Sequence, residues 1–340
     1  MAITLQDVAL KAGVSKSAVS RTFTDGASVS ARTRAKVEAA ALALGYSPNV
    51  LAAALTTGRT KLIGLISNNF SNPYFLEIFD RFTRAIQDAG LRTLLINLSD
   101  EEDSDRSLRM LRQYNVDGVI VASSTLPPSF AATFQQAGLP VVHAFGWSAP
   151  EPRTALVSID NVDAGRMAAR TLLARGYVRI GFLGGPEAAS TTQDRLAGFE
   201  EVLGAAGVTP CRAFAPAYAY AAGHSVMARI LSARAPAEVW FCGDDVIAIG
   251  AMAAAQEAGL HIPEEIGFLG LNDMEMAAWG RDTLTTIRQP LAEIVAEAVA
   301  MIRTRIDTPD SPTEIRRLPC EIVERRSLRP LLNGGDTPGA

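Results

Sequence analysis

The chain has 340 residues, 48% of them hydrophobic and 20% charged, with a formal net charge of −4. That length suits two or three domains, and the composition excludes a largely disordered chain. Three scattered cysteines (Cys211, Cys242, Cys320) without a CxxC pair give no disulfide or zinc framework. With no signal-like start and no uncharged apolar run long enough to span a bilayer, a cytoplasmic protein without membrane contact is expected. The charge is uneven. Residues 1–60 hold seven Lys/Arg against three acids, so the head is basic and the rest acidic, and a polyanionic partner would meet the first 60 residues.

In chain order, "TLQDVALKA" opens with Thr4 three residues before Asp7, a capping box that starts a helix. Val8 and Ala12 share one face of it, with Ala9 beside them, and Gly13 ends it. Ser15 caps a second helix, in which Val19 faces inward. The spacing of Ala9, Gly13 and Val19 fits a helix-turn-helix, and equally an ordinary capped helical hairpin. "VSARTRAKVEAAALALGYSPN" adds a third helix, capped by Ser30, striped by Val37, Ala41 and Leu44, and ended by Gly45. Pro48 stops the chain, and "NVLAAAL" offers one further helix, too short to stand alone in water.

These segments together, "TLQDVALKAGVSKSAVSR", "VSARTRAKVEAAALALGYSPN" and "AAAL", resemble the DNA-binding head and hinge of the lactose-repressor/galactose-repressor family of bacterial transcription regulators. The resemblance implies that the second helix enters the major groove. Lys16 and Ser17 would choose bases with Arg21, since Lys and Arg reach the O6/N7 edge of guanine. Ala18 stands where many relatives have Thr. Ser15, Ser20, Ser30 and Thr33 would position phosphates, with Thr4, Leu5, Asn49 and Ala52 completing the DNA-binding set. Leu55 falls at the hinge leucine that wedges into the minor groove.

Beyond residue 60, apolar runs alternate with helical stretches. Strands are expected in "KLIGLIS", "VDGVIVASS", "LPVVHAFG", "VRIGFLGG", "EVWFCGDD" and "EIGFLGLND", and a late one in "LPCEIVER". Helices are predicted over 74–89, 105–114, 163–175, 195–206, 223–232 and 246–258. Such alternation means parallel sheets covered by helices. The expected fold class is therefore α/β: an all-α helix-turn-helix head over 1–47, a hinge helix and linker over 48–60, and a body over 61–330. Two similar lobes are expected, near 61–160 and 161–290, with the chain crossing back after 290 and a flexible tail over 331–340.

Ligands bind beyond the carboxyl ends of strands in such sheets. Those ends carry Asn68, Asn69, Ser123, Ser124, Trp147, Asp244 and Asn272. The body's motifs "NPYF", "DNVDAGRMA", "RLAGF", "FCGDDVIAIGAM" and "LTTIRQP" also resemble the family's effector domain, which is similar to periplasmic sugar-binding proteins. On that resemblance Phe75, Trp147, Arg195, Tyr218 and Asn272 line a pocket between the lobes, with Asn161, Thr191, Asp244 and Gln289. Aromatic faces and directional amide and guanidinium donors suit a polar, ring-shaped ligand. Asn272 replaces the aspartate of many relatives, and Ala189 removes a polar side chain that contacts ligand in a purine-binding relative. Both departures favour a sugar, polyol or sugar acid, with a nucleobase as the alternative.

No GxSxG, HExxH or P-loop occurs, the three histidines are scattered, and "GFLGGP" is not GxGxxG, so neither catalysis, a cofactor nor a metal is expected. The Asp244–Asp245 pair suits a helix start. A transport-type solute-binding protein would share the body without the basic head. The expectation is a homodimeric repressor on a pseudo-palindromic operator of double-stranded DNA, controlled by a small carbohydrate-like effector.

Overall fold

Strand β1 (Leu62–Ser67) is buried at every position from Ile63 onward. A strand buried on both faces belongs inside a parallel sheet covered by helices, and this one lies in the interior of the first sheet, between β3 and β2. The computed structural model describes residues 3–24, 27–47, 58–68, 70–98, 104–146, 154–233 and 237–332. The chain divides into two compact units, residues 1–61 with Asn115–Asp117, and the remainder from Leu62.

In the first unit, α1 (Leu5–Ala12), α2 (Lys16–Thr22) and α3 (Ala31–Leu44) form where the capping chemistry places them. Thr4 and Asp7 make the reciprocal capping box, the Asp7 carboxylate accepting the Thr4 N–H at 2.8 Å. Ser15 accepts from the Ala18 N–H and Ser30 from the Thr33 N–H, both at 3.2 Å. Gly13 and Gly45 close α1 and α3 at φ 65° and 64°, where a side chain would be strained. Val8, Ala9, Val19, Val37, Ala40 and Ala41 make the core, with Phe23 tilted against Tyr46 at its edge. At the far end of this unit the Asp117 carboxylate accepts the backbone N–H groups of Thr60 and Lys61 at 3.0 and 2.8 Å.

The second unit begins with β1 and continues through α4 (Tyr74–Asp88), β2 (Arg92–Asn97), α5 (Ser104–Gln113), β3 (Gly118–Ala122), α6 (Pro128–Gln136), β4 (Val141–Ala144) and β5 (Ala155–Ile159). It then runs α7 (Asn161–Leu173), β6 (Ile180–Gly184), α8 (Ser190–Ala205), β7 (Cys211–Phe214), α9 (Tyr220–Ser232), β8 (Val239–Cys242) and α10 (Asp245–Glu257). The last elements are β9 (Gly267–Asn272), β10 (Thr285–Arg288), α11 (Leu291–Asp307), β11 (Ile315–Leu318) and β12 (Glu321–Val323). One sheet has the order β11-β5-β4-β3-β1-β2 and the other β12-β10-β9-β8-β6-β7. The two orders are the same pattern repeated. All neighbours run parallel except β10 and β12, which are antiparallel.

The chain passes between the sheets after β5, after β10 and again between β11 and β12. Helix α11 packs on α4, β3, β4 and β5, so residues 291–318 return to the first sheet, and only "EIV" of the expected late strand rejoins the second. Three helices start two or more residues earlier than their predicted ranges. Asp160 caps α7 by accepting from the Asp163 N–H, so Asn161 is already helical. Helix α8 starts at Ser190 rather than 195, and α9 at Tyr220 rather than 223. Helices α6 and α11 and strands β2, β5, β7, β10 and β11 are additional to the predicted set.

Helices α7 and α8 cross at Gly165 and Gly198, and α9 and α10 at Gly223 and Gly250. At each of these four glycines a Cβ would fall onto the backbone carbonyl of the facing helix. The four helices therefore sit as close as backbones allow, and the starts of α7, α8 and α10 lie where the sequence places its candidate ligand residues.

Candidate DNA-reading head and effector cleft

Helix α2 turns Val19 and Thr22 into the head and leaves Lys16, Ser17, Ser20 and Arg21 exposed. Ser17 and Arg21 lie one turn apart, and the Arg21 Nε–H donates to the Ser17 carbonyl at 3.3 Å. Ser15 Oγ, besides capping, lies 3.0 Å from Ser17 Oγ. Ser30 donates to Thr33 Oγ1 at 2.9 Å at the start of α3. Ala18 is half-buried, and its carbonyl accepts from Thr22 Oγ1. Thr4 is exposed and Leu5 half-buried. This is a helix held from behind by an apolar core, with small hydroxyls and two cations on its outer face. Asn49, Ala52 and Leu55 lie outside the described residues, as do Asn69 and Trp147 of the strand-end set.

The second site follows from the strand orders. In a 2-1-3-4-5 sheet the crevice opens beyond the carboxyl ends of the first and third strands. In the first lobe those ends carry Asn68 and Ser123. Ser123 Oγ donates to Asn68 Oδ1 at 2.8 Å, and Asn68 Nδ2 donates to Thr125 Oγ1 at 2.9 Å. Phe75 packs in the first-lobe core against Tyr74 and Phe79 and is only 3% exposed.

On the second lobe's side, the strand ends at Asp244 and Asn272, the starts of α7 and α8 and the loops carrying Tyr218 and Gln289 bring together Asn161, Thr191, Arg195, Tyr218, Asp244, Asn272 and Gln289, all buried. Arg195 Nε donates to Asn161 Oδ1 at 2.8 Å and Nη1 to the Gly243 carbonyl at 2.6 Å. Tyr218 OH lies 3.0 Å from Thr192 Oγ1 and 3.4 Å from Thr191 Oγ1. Asp244 caps α10 through the Val246 N–H at 2.8 Å, and its other oxygen accepts from Asn272 Nδ2 at 2.8 Å. Gln289 Nε2 in turn donates to Asn272 Oδ1 at 2.5 Å.

Among the described residues, two bonds close the cleft from lobe to lobe. Thr191 Oγ1 donates to the Ser124 carbonyl at 3.3 Å, and Asn72 Nδ2 donates to Asp244 Oδ2 at 3.1 Å. Asn72 was not among the sequence-predicted residues, although it sits in the "NPYF" turn. Its own Oδ1 accepts from the Tyr74 N–H and so starts α4. A cavity of about 270 Å³ opens beside this network, between Tyr74 and Glu77 of the first lobe, Asn272 and Arg288 of the second, and residues 289–293 at the crossing.

Burial pushes the Asp244 carboxyl up to about 6, against the opposing pull of the Val246 N–H, the Asn72 amide, Arg195 and the Asn272 amide. Asp245 is pushed up to about 7, chiefly by burial, while bonds from Thr286 and the Met274 N–H oppose the shift. Asp245 does more than start α10 beside Asp244. It accepts from Thr286 Oγ1 at 2.5 Å and from the Met274 N–H at 2.8 Å, holding the turn in which Asn272 and Asp273 have φ of 125° and 56°. Two consecutive non-glycine residues at positive φ persist only where the surroundings overdetermine them. Among the described residues no group of His, Cys, Asp and Glu could hold a metal ion, and no helix is long and apolar enough to cross a membrane.

Comparison with known proteins bears on both sites. Residues 4–49 match the family model of bacterial regulatory proteins, lacI family, and residues 169–328 match that of the periplasmic binding protein-like domain. The HTH-type transcriptional repressor PurR of Pectobacterium carotovorum subsp. carotovorum is 33% identical over 334 residues, covering 96% of both chains. Among solved structures, the lac repressor dimer bound to operator and the anti-inducer ONPF superposes with a TM-score of 0.86 at 25% identity. It covers 96% of this chain and 99% of that one. The transcriptional regulator CelR in complex with cellobiose superposes with a TM-score of 0.73 at 26% identity, with the same two coverages.

Proposed function

The chain belongs to the lacI family of bacterial regulatory proteins, DNA-binding repressors rather than enzymes, and from that membership and its cleft we propose a ligand-switched repressor with the following parts. The head reads a pseudo-palindromic operator as a homodimer, with Lys16, Ser17 and Arg21 at base edges and Ser15, Ser20, Ser30 and Thr33 on phosphates. The effector is a small polar molecule held by Asn161, Thr191, Arg195, Tyr218, Asp244, Asn272 and Gln289.

The observation that carries this reading is the cleft network itself. Side chains from both lobes, far apart in sequence, converge on one buried polar cluster whose lobe-to-lobe bonds are few. A ligand that bonds the same groups competes with or reinforces these bonds, and so has differential affinity for open and closed lobes. That difference is the requirement for any ligand-driven shift. A carbohydrate-like effector is supported by the density of hydroxyl and amide groups, and by CelR having been solved with cellobiose. A nucleobase is the second reading, favoured by the whole-chain similarity to repressor PurR.

The test is a thermal-shift screen of the full chain with sugars, polyols, sugar acids and purines, followed by operator gel shifts with each hit. A hit that changes operator affinity in the wild type but not in Asn272→Ala supports the assignment. Hits that stabilise the protein and leave operator binding untouched argue against the switch.

A further inference from the structure

The end of the linker is pinned by a side chain. Asp117, half-buried in the loop before β3, divides its two carboxylate oxygens between successive backbone N–H groups. Oδ1 accepts from Thr60 at 3.0 Å and Oδ2 from Lys61 at 2.8 Å. Thr60, only 8% exposed, also donates its hydroxyl to the Asn115 carbonyl at 2.6 Å.

Successive N–H groups converging on one anion form a nest, in which one residue takes the left-handed region. Lys61 supplies it at φ 59°, and Asn115 on the facing loop stands at φ 48°. Asparagine tolerates that region, whereas lysine has no local reason to enter it. Such a conformation persists only where its surroundings overdetermine it, and here the Asp117 carboxylate does so.

The clamp sits where the chain changes from one compact unit to the other. All three joins fall here: Lys61 to Leu62, Tyr114 to Asn115 and Asp117 to Gly118. Strands β1 and β3 pair in parallel from Ile63 and Gly118 onward. Asp117 therefore stands immediately before the first rung and carries the strand pairing on to the linker. The same two strands lead at their other ends to Asn68 and Ser123, bonded at 2.8 Å on the cleft side. The β1–β3 pair is thus cross-linked by side chains at both ends. Between those ends all of β3, and β1 beyond Leu62, is buried, and a close-packed interior passes a displacement on instead of absorbing it.

We propose that Asp117 is a positioning residue of the switch. It makes the linker end part of the first lobe, so that a lobe displacement set at the cleft reaches the hinge and is not lost to free rotation at residues 59–61. This rests on the ligand-switched reading of the cleft and supplies the link which that reading needs. Asp117 acts through the linker and not on DNA. Without the clamp, residues 59–61 keep the freedom of an open chain, which docking of the heads must then remove.

The test uses the full chain without added ligand and has two readouts. Limited trypsin digestion reports on the clamp, since Arg59 and Lys61 are exposed and the Thr60 N–H that Asp117 holds belongs to the bond cut after Arg59. Cleavage tracks the population of the open form. Asp117→Ala removes two charge-assisted bonds and should speed cleavage after Arg59 and Lys61 at least about tenfold, read from fragment masses, with the urea midpoint unchanged. Operator affinity reports on the switch, using the duplex that the wild-type chain enriches from random sequence. Asp117→Ala should bind it about tenfold more weakly, the cost of ordering one or two more backbone residues. The slope of affinity against salt should stay the same, because no phosphate contact is lost. Asp117→Asn keeps one acceptor oxygen and should fall between wild type and Asp117→Ala in both readouts. Unchanged cleavage in Asp117→Ala, unchanged affinity beside faster cleavage, or an affinity loss matched by an equal loss of stability in urea would each overturn the proposal. A wild-type chain that enriches no duplex removes the operator-binding reading itself, and the proposal with it, whatever the digestion shows.

Discussion

The α7–α8 pair makes the sharpest stability prediction, because α7 carries a forbidden site and α8 a permitted site for one methyl group. At Gly165 a Cβ would land on the Arg195 carbonyl oxygen, with the Arg195 carbonyl carbon and the Phe199 nitrogen each only 2.9 Å away. Non-bonded carbon contacts need about 3.5 Å, and the Arg195 carbonyl oxygen lies at 2.0 Å, so Gly165→Ala forces the helices apart by more than about 1 Å. Neither obstacle is a flexible side-chain tip. Overpacking against a rigid neighbour costs about 1–3 kcal/mol, and the displaced helix carries Thr191 and Arg195 out of register with the cleft. At Gly204, near the end of α8, an added Cβ meets nothing within 4 Å and the residue is exposed. Gly204→Ala should therefore stabilise by up to about 1 kcal/mol through helix propensity. The two variants are to be compared by urea unfolding and by effector-induced thermal shift. The expected outcome is opposite signs of stability change, with ligand response lost in Gly165→Ala and kept in Gly204→Ala. A Gly165→Ala protein of wild-type stability and response would refute the close-packing account of how the cleft is positioned.

Buried His143, with Nε2 3.1 Å from the Ser123 carbonyl, has its pKa pushed down to about 4 by burial. The unfolded chain then takes up this proton first, so stability is intact above about pH 6.5 and falls by roughly 3 kcal/mol on acidifying to pH 4. His143→Gln should flatten that slope in urea midpoints measured against pH. Asp245 acts in the opposite sense. Its raised pKa, about 7, makes the ionised form costly, so its contribution falls as pH rises from about 4 to 7. Removing the group with Asp245→Asn should reduce that loss, read as a smaller difference in Tm between pH 5 and pH 8. Asp244→Asn puts an amide hydrogen where Asn72 or Asn272 now donates. A cost of about 1–3 kcal/mol in urea unfolding, with a weakened effector response, is expected. In the head, Ser15→Ala removes the α2 cap and should cost about 1 kcal/mol in a melt of the full chain. Arg21→Ala, fully on the exposed face, should leave that melt unchanged and weaken operator binding.

Local chemistry was the legible part of this sequence. Thr4 with Asp7, Ser15 and Ser30 announce their helices because a cap bonds within three residues, and Val8, Val19 and Val37 are core because they share faces. Continuous apolar runs such as "LIGLIS" marked the buried strands, and so the strand ends at Asn68, Asp244 and Asn272. The start of α8 was not legible, since Ala189 carries no capping side chain and Thr191 and Thr192 are β-branched. Edge strands β2 and β7 are partly exposed and lack the apolar signature of the centre. Helix α11 did carry the helical period, at Leu291, Ile294, Val295, Ala298 and Ile302. The Asn72–Asp244 bond joins residues 172 positions apart, and only the fold puts them together.

The central claim is that a basic head binds operator DNA under the control of the cleft. Selection of the full chain against random duplexes, followed by affinity measured across a salt series with and without the effector, tests it most directly. The account predicts enrichment of a pseudo-palindrome and an affinity that falls steeply with salt as counterion release is suppressed. It also predicts a ligand-dependent offset that vanishes in Arg195→Gln. No enriched sequence, or an affinity indifferent to both salt and ligand, would contradict it.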